Sequence, residues 1–229
     1  MEAPQGDCPG AINVVMLGPP GAGKGTQAER LSRTRKVPKI STGDILREAV
    51  QDETGVGRAA KETMEAGNLV GDDIMIAIVQ DRLGRADAHC GFVLDGFPRT
   101  VVQATALDRM MANRGPLVVL NMVVPEDVLV RRLATRRICS KCGANAAPDW
   151  TTKCGKCGGA LITRVDDGID IVRERLKVYQ RQTKPLVEYY SKRPTFSSID
   201  GNRPPDVVTA AVDAALDTAI GTAGRGVAL

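Results

Sequence analysis

The stretch Gly18-Pro-Pro-Gly-Ala-Gly-Lys-Gly-Thr26 follows the apolar run Ile12 to Leu17 and leads into a helix-forming segment, Gln27 to Arg33. Glycines so spaced let the backbone curl until successive N–H groups and the positive start of a helix face a phosphate chain, and Lys24 adds a point charge. The spacing Gly18-x4-Gly23-Lys24 is that of a P-loop, with Gly21, Ala22, Gly23, Lys24, Gly25 and Thr26 around a bound phosphate chain. Gly25 stands where a Ser or Thr hydroxyl commonly meets magnesium, so the metal must be held from elsewhere. Asp95 closes the apolar run Gly91-Phe-Val-Leu-Asp95 and is placed to hold Mg2+ through water, with Asp44 helping from a distance.

Four of the six cysteines form a second constellation, Cys139-Ser-Lys-Cys142 and Cys154-Gly-Lys-Cys157, with eleven residues between the pairs. Each pair makes a tight turn, and two such turns close a tetrahedron of sulfur around zinc. Two disulfides or a redox dithiol are the alternatives, and neither a secretion signal nor a thioredoxin-like context accompanies them. Four sulfurs leave no open position for a substrate, so the expected Zn2+ is structural. The glycines after Cys142, Cys154 and Cys157 suit turns that need positive φ. Cys8 and Cys90 fall outside this pattern and read as incidental. The single histidine, His89, lies in a polar turn and reads as a surface residue.

The elements that must position these groups alternate. Strands are expected at Ile12 to Leu17, Val37 to Ser41, Gly91 to Asp95, Pro116 to Val124 and Thr195 to Asp200. Helices are expected after the P-loop to Arg35, then from Thr42 to Asp52, Gly55 to Ala66, Asp72 to Leu83, Thr100 to Asn113 and Pro125 to Arg136. Asp167 is expected to cap a long helix through Tyr190, and Asp206 to Ile220 a last one. Such alternation is that of an α/β protein with a parallel sheet. Between Ile138 and Arg164 the periodicity gives way to cysteines, glycines and lysines, which marks a separate small module. There is no internal repeat.

At 229 residues, 43% apolar and 25% charged, the composition is that of an ordinary soluble protein. Aromatic residues make up 3%, too few for platforms that stack nucleic-acid bases. A net charge of +4 fits an anionic ligand without demanding nucleic acid or a membrane. No apolar run approaches the ~20 residues of a membrane span and the first residues lack a signal pattern, so a cytoplasmic protein is expected.

With these features placed, the chain resembles the adenylate kinases, in particular the long bacterial form with a zinc-binding lid. The motifs that carry the resemblance are the P-loop through Gln27-Ala28, Ser41-Thr-Gly-Asp-Ile-Leu-Arg47, Asp95-Gly-Phe-Pro-Arg-Thr100, Arg136-Arg137 before the cysteines and Arg164-x-Asp-Asp167 after them. The resemblance implies a P-loop kinase core with a five-stranded parallel sheet over 11–41, 71–136 and 165–220. It implies a nucleotide-monophosphate-binding insert at 42–70 and a zinc-binding lid at 137–164, leaving tails at 1–10 and 221–229.

The chemistry asks for several fixed cations, because phosphoryl transfer between two nucleotides brings two polyanions together. Lys24, Arg47, Arg99, Arg132, Arg136, Arg164 and Arg175 are candidates, and Arg132 and Arg136 share one helix face. In the resembled family the positions of Arg47 and Arg99 hold the AMP phosphate. Those of Arg136, Arg164 and Arg175 embrace the transferring group, with Arg164 and Arg175 also reaching AMP. Arg132 lies against the ATP adenine and Arg203 meets it by its backbone. Arg131, Arg137 and Arg173 match no such position and read as surface residues.

The resemblance further implies that Thr42 and Gln103 select adenine in the acceptor, since a glutamine amide both donates and accepts on a base edge. Asn68, Leu69, Val70, Gly96, Phe97 and Pro98 complete the AMP subsite. The long lid and these two residues argue against uridylate or cytidylate kinase. Asn145-Ala146 replaces a tyrosine common after the first cysteine pair, so weaker discrimination among phosphate donors is expected. The implied activity is ATP + AMP = 2 ADP by a monomer. A P-loop ATPase whose zinc ribbon grips nucleic acid is the alternative of another class, and it would need a basic stripe that the sequence lacks.

Overall fold

The computed structural model describes residues 11–147 and 149–225, excluding the side chains of Val165 and of 222–225; the expected tail at 1–10 lies outside them. In chain order the elements are β1 (Ile12–Leu17), α1 (Lys24–Arg35), β2 (Lys39–Ser41), α2 (Thr42–Gln51), α3 (Gly55–Glu65), α4 (Asp72–Leu83), β3 (Gly91–Asp95) and α5 (Val101–Met110). There follow β4 (Leu117–Val123), α6 (Glu126–Ala134), β5 (Arg137–Cys139), β6 (Leu161–Thr163), α7 (Ile169–Val178), α8 (Pro185–Ser191), β7 (Phe196–Asp200) and α9 (Pro205–Arg225).

Five strands form one parallel sheet in the order β2-β3-β1-β4-β7. The central strand β1 is buried from Asn13 to Leu17, and its alternation feeds two cores. Val14 and Met16 face Leu31, Leu120, Leu133 and Leu216, whereas Val15 and Leu17 face Phe92, Leu94, Phe97 and Tyr190. A strand covered on both faces reads as a continuous apolar run, which is why β1 is apolar from Val14 to Leu17 and β3 from Phe92 to Leu94, with Asn13 and Asp95 at their ends. In register, Met16 and Ser41 both lie opposite Asp95, and Leu17 lies opposite Asn121. The carboxyl ends of β1, β2 and β3 therefore open on one edge, where ligands of open α/β sheets bind.

The helices end where local chemistry requires it. The Ser41 hydroxyl accepts from the Asp44 N–H at the start of α2, and Thr54 does the same for Gly57 at α3. Gly57 lets those two helices touch: a Cβ there would lie 1.9 Å from the Ala49 carbonyl oxygen. The expected single helix from Asp167 to Tyr190 is corrected in two respects. Gly168 flanks α7 without a side-chain cap, while Asp167 points inward, and a π-helical turn at Tyr179–Thr183 separates α7 from α8. At the other end, α9 runs to Arg225, past the expected end at Ile220.

The cysteine module holds an antiparallel pair, β5 with β6, extended by bridges Ile138–Asn145 and Lys153–Ala160. Lost periodicity hid these short strands. Among the described residues no helix is long and apolar enough to cross a membrane.

Candidate active site

The P-loop wraps between β1 and α1, with Gly18, Gly21 and Gly23 at φ of 134°, 83° and 92°. Only glycine fits at Gly18, since a Cβ there would meet the Met122 carbonyl oxygen at 2.7 Å. Ala22 is buried, Thr26 is exposed, and Gly23 opens α1. Lys24 folds back over the loop and donates to the Gly18 and Pro19 carbonyls at 2.8 and 2.9 Å. Desolvation lowers its pKa to about 8. Asp95 opposes that shift, while Arg99, Arg175 and Arg136 add to it.

The cations meet beside it. Desolvation depresses the Arg99 pKa, with Asp95 opposing and Arg47 and Arg164 adding. Arg47 is likewise lowered by desolvation and then by Arg164. Arg175 is brought to about 10 by desolvation, partly offset by Asp166, and further by Arg136, Arg164 and Arg99. Guanidiniums so crowded repel one another, and a polyanion entering among them relieves the repulsion.

Two carboxylates unread as site residues hold this crowd in place. Asp167, whose side chain is wholly buried, accepts from Arg136 Nε at 2.7 Å, from Arg136 Nη2 and from Arg175 Nη1 at 3.2 Å. Asp166 takes a fork from Arg164 at 2.9 and 2.8 Å and pairs with Arg175 at 3.1 Å. Burial pushes the Asp166 pKa up, but Arg164 and Arg175 outweigh it, so the carboxyl stays below the usual range. The two acids stand in the Arg164-x-Asp-Asp167 motif, and the signal was their place two and three residues after an arginine.

The cleft beside these cations is lined by Thr42, Arg47, Met64, Asn68, Leu69, Val70, Gly96, Pro98, Arg99 and Gln103. Gly96, at φ 87°, offers its carbonyl to the Thr42 hydroxyl at 2.9 Å and to Arg99 Nε at 2.8 Å. Phe97 is fully buried in the core behind the cleft, followed by a cis peptide to Pro98. Gln103 is 1% exposed, and its amide is already engaged on both atoms.

Other residues stand apart from this cleft. Arg132 donates to the Gly201 carbonyl at 3.0 Å, and the exposed Arg203 faces Asp200 at 3.8 Å. Arg131 pairs with Asp127, Arg173 with Asp170, and Arg137 donates to the Thr151 and Trp150 carbonyls within its own module. Asp44 is committed to Arg47 and Lys39 rather than turned toward Asp95. His89 is exposed, and Cys90 is disulfide-bonded rather than incidental, while Cys8 lies outside the described residues.

Asp95 faces the P-loop helix: a Cβ on Gly25 would lie 3.1 Å from its Oδ2. The missing side chain at Gly25 thus leaves room beside a carboxylate, as hydrated magnesium requires. The Asn145 amide lies over the same glycine, 3.9 Å from that Cβ position.

The four cysteine sulfurs of the module lie within 4.8 Å of one another, with Cys139–Cys157 at 3.4 Å and Cys142–Cys154 at 3.7 Å. Sulfurs about 2.3 Å from a tetrahedral zinc stand about 3.8 Å apart, so the donor set fits. Desolvation pushes the Cys139 thiol up, but the N–H groups of Cys142 and Lys141 bring it down to about 6. Gly143 and Gly158 take positive φ, as expected. Gly155 does not; it is small because the Trp150 indole covers it, and Gly159 because a Cβ would meet Cys139 Sγ at 2.7 Å.

The family model described as Adenylate kinase matches residues 16–195. The chain belongs to the adenylate kinase family. An adenylate kinase of Archaeoglobus fulgidus is 47% identical over 213 residues, covering 90% of this chain and 98% of the relative. An adenylate kinase of Acidothermus cellulolyticus is 49% identical over 212 residues with the same coverage. One from a Thermoanaerobacter species is 47% identical over 199 residues, or 84% of this chain and 92% of its own. Membership makes this chain a nucleoside monophosphate kinase, and its five-stranded parallel core is that of a P-loop kinase.

Proposed function

We propose that the chain catalyses ATP + AMP = 2 ADP, with Lys24, Arg99, Arg136, Arg164 and Arg175 enclosing the group in transfer. The observation that carries this reading is the mutual crowding of those cations at the carboxyl edge of the sheet, pre-set by Asp166 and Asp167. Gly21 to Thr26, with Arg132 and the backbone at Arg203, take the donor. Thr42, Arg47, Asn68, Leu69, Val70, Gly96, Phe97, Pro98, Arg99, Gln103, Arg164 and Arg175 take AMP, Phe97 through its main chain. No general base is required, because phosphoryl transfer through a loose transition state rests on positioning and electrostatics.

Asp95 would hold Mg2+ through water, and the metal would neutralise charge on the donor phosphates. Cys139, Cys142, Cys154 and Cys157 would hold a structural Zn2+. Residues 11–41, 71–136 and 165–220 act as the core, 42–70 as the insert that receives AMP and 137–164 as the lid. The enzyme works as a cytoplasmic monomer, independent of nucleic acid and membrane.

A coupled assay with ATP and each monophosphate in turn tests the reading: turnover is expected with AMP, and turnover with UMP or CMP but not AMP would overturn it. With Asn145 in place of an aromatic wall, GTP should compete with ATP as donor. A steep preference for ATP in steady-state kinetics would refute that expectation.

A further inference from the structure

We propose that Asp72 is a positioning residue for acceptor specificity, because it fixes which way round the Gln103 amide is presented to the base. The proposal rests on the reading that Gln103 meets the acceptor base.

A glutamine amide has two ends of nearly equal shape and opposite hydrogen-bonding sense. Free to turn by half a revolution, it serves two bases equally. Adenine offers an amino donor beside a ring-nitrogen acceptor, whereas hypoxanthine offers a carbonyl acceptor beside an N–H donor. A freely turning amide would therefore match AMP in one orientation and inosine monophosphate in the other. Discrimination requires that the amide be held.

In this structure both ends are held. Gln103 Nε2 donates to Asp72 Oδ1 at 2.8 Å, and Gln103 Oε1 accepts from the Arg99 N–H at 2.8 Å. Turning the amide would set its oxygen against the Asp72 carboxylate and its NH2 against the Arg99 N–H, losing two bonds and creating two repulsions. A carboxylate can only accept, so Asp72 imposes a sense that an amide or hydroxyl at this position would not. The engaged amide keeps one N–H and one oxygen lone pair, the pair that an adenine edge complements.

Asp72 is itself anchored. It is the first residue of α4, and the Thr100 hydroxyl donates to it at 3.0 Å while accepting from the Gln103 N–H at 3.2 Å. Carboxylate, hydroxyl and amide thus tie the start of α4 to the start of α5 behind the base subsite. Gln103 is 1% exposed, so water does not stand in for a lost partner freely.

The test compares kcat/KM for AMP and for inosine monophosphate in four proteins: wild type, Asp72→Asn, Asp72→Ser and Gln103→Leu. Asp72→Asn and Asp72→Ser leave the Arg99 N–H as the sole group, among the described residues, imposing a sense on the amide, and each should raise the inosine-to-adenosine ratio about tenfold, the order expected when one of two oriented hydrogen bonds stops discriminating. The KM for ATP should stay unchanged, and thermal melts identify the variant that folds. Thr100→Val removes a contact to the same carboxylate and the cap on the Gln103 main-chain N–H, but spares both partners of the side-chain amide; it should lower the melting temperature and leave the ratio alone. An unchanged ratio in the folded Asp72 variants, or an equal rise in Thr100→Val, overturns the proposal. If Gln103→Leu also leaves the ratio unchanged, the base-reading role of Gln103 falls, and this inference with it. A ratio changed in Gln103→Leu alone refutes only the role of Asp72.

Discussion

At the scale of single residues, Lys24 and Asp167 carry opposite burdens. The Lys24 ammonium is costly in the cleft, because desolvation and three arginines lower its pKa from 10.5 to about 8. Between pH 8 and 10.5 the unfolded chain binds the proton that the folded chain has released, so over that window the free enzyme gains stability as pH rises. Denaturation of wild type and Lys24→Met across that range should show the difference moving in favour of wild type. Catalysis runs the other way: kcat/KM for ATP should fall above pH 8 as the charge is lost, and Lys24→Arg should move that limb beyond the measurable range. Asp167 is the counterweight, wholly buried between Arg136 and Arg175. Its loss leaves two guanidiniums facing each other, so Asp167→Ala should cost about 3–5 kcal/mol in chemical denaturation and depress kcat.

At the scale of elements, the cysteine turns depend on a glycine outside them. Gly159→Ala would press a methyl onto Cys139 Sγ, so the variant should hold less zinc by atomic absorption and melt at a lower temperature, as chelation of wild type should also cause. The glycine could not be read from the sequence, because its neighbour is a sulfur brought near only by the fold. The core strands were legible for the opposite reason. Strand β1 is buried on both faces and bounded by a P-loop glycine, so its extent, Ile12–Leu17, shows in composition alone. Strand β3 likewise begins at Gly91 and ends at Asp95. The π-helical turn between α7 and α8 was hidden, since the backbone stays helical through Val178, Tyr179 and Lys184 and only Pro185 signals a change. Asp167 was misread because an acid before a helix has two uses, capping an N–H or gripping a cation, and the choice belongs to residues far away in sequence. The phosphate-binding loop and arginines were visible as motifs, and Asp166 and Asp167 stood in one of them without their grip on the arginines being legible, while nothing marked Asp72 as the partner of Gln103.

At the scale of the whole molecule, the cysteine module rests on the core. Lys156, between Cys154 and Cys157, reaches Glu29 on α1 at 3.1 Å, and Glu29 also faces Lys39 at 3.8 Å. The Lys156 bond in particular draws the Glu29 pKa down. Elsewhere Gly67 lies against Arg175, whose side chain would be 3.1 Å from a Cβ there. The Lys156 and Glu29 side chains are 51% and 43% exposed, and a pair so wet shifts an opening equilibrium only about two- to fivefold. Fluorescence transfer between dyes on the module and α1 should show that shift in Lys156→Ala, and in wild type on adding salt.

That arrangement makes the metal answerable for more than local order. The residue that clasps the core sits inside one of the cysteine turns proposed to hold zinc, so a protein stripped of that metal would lose its clasp together with its turn. Solvent would then reach the terminal phosphate of ATP when no second nucleotide waits beside it. Metal starvation should show as wasteful hydrolysis of ATP, detectable as inorganic phosphate released without AMP, before it shows as unfolding.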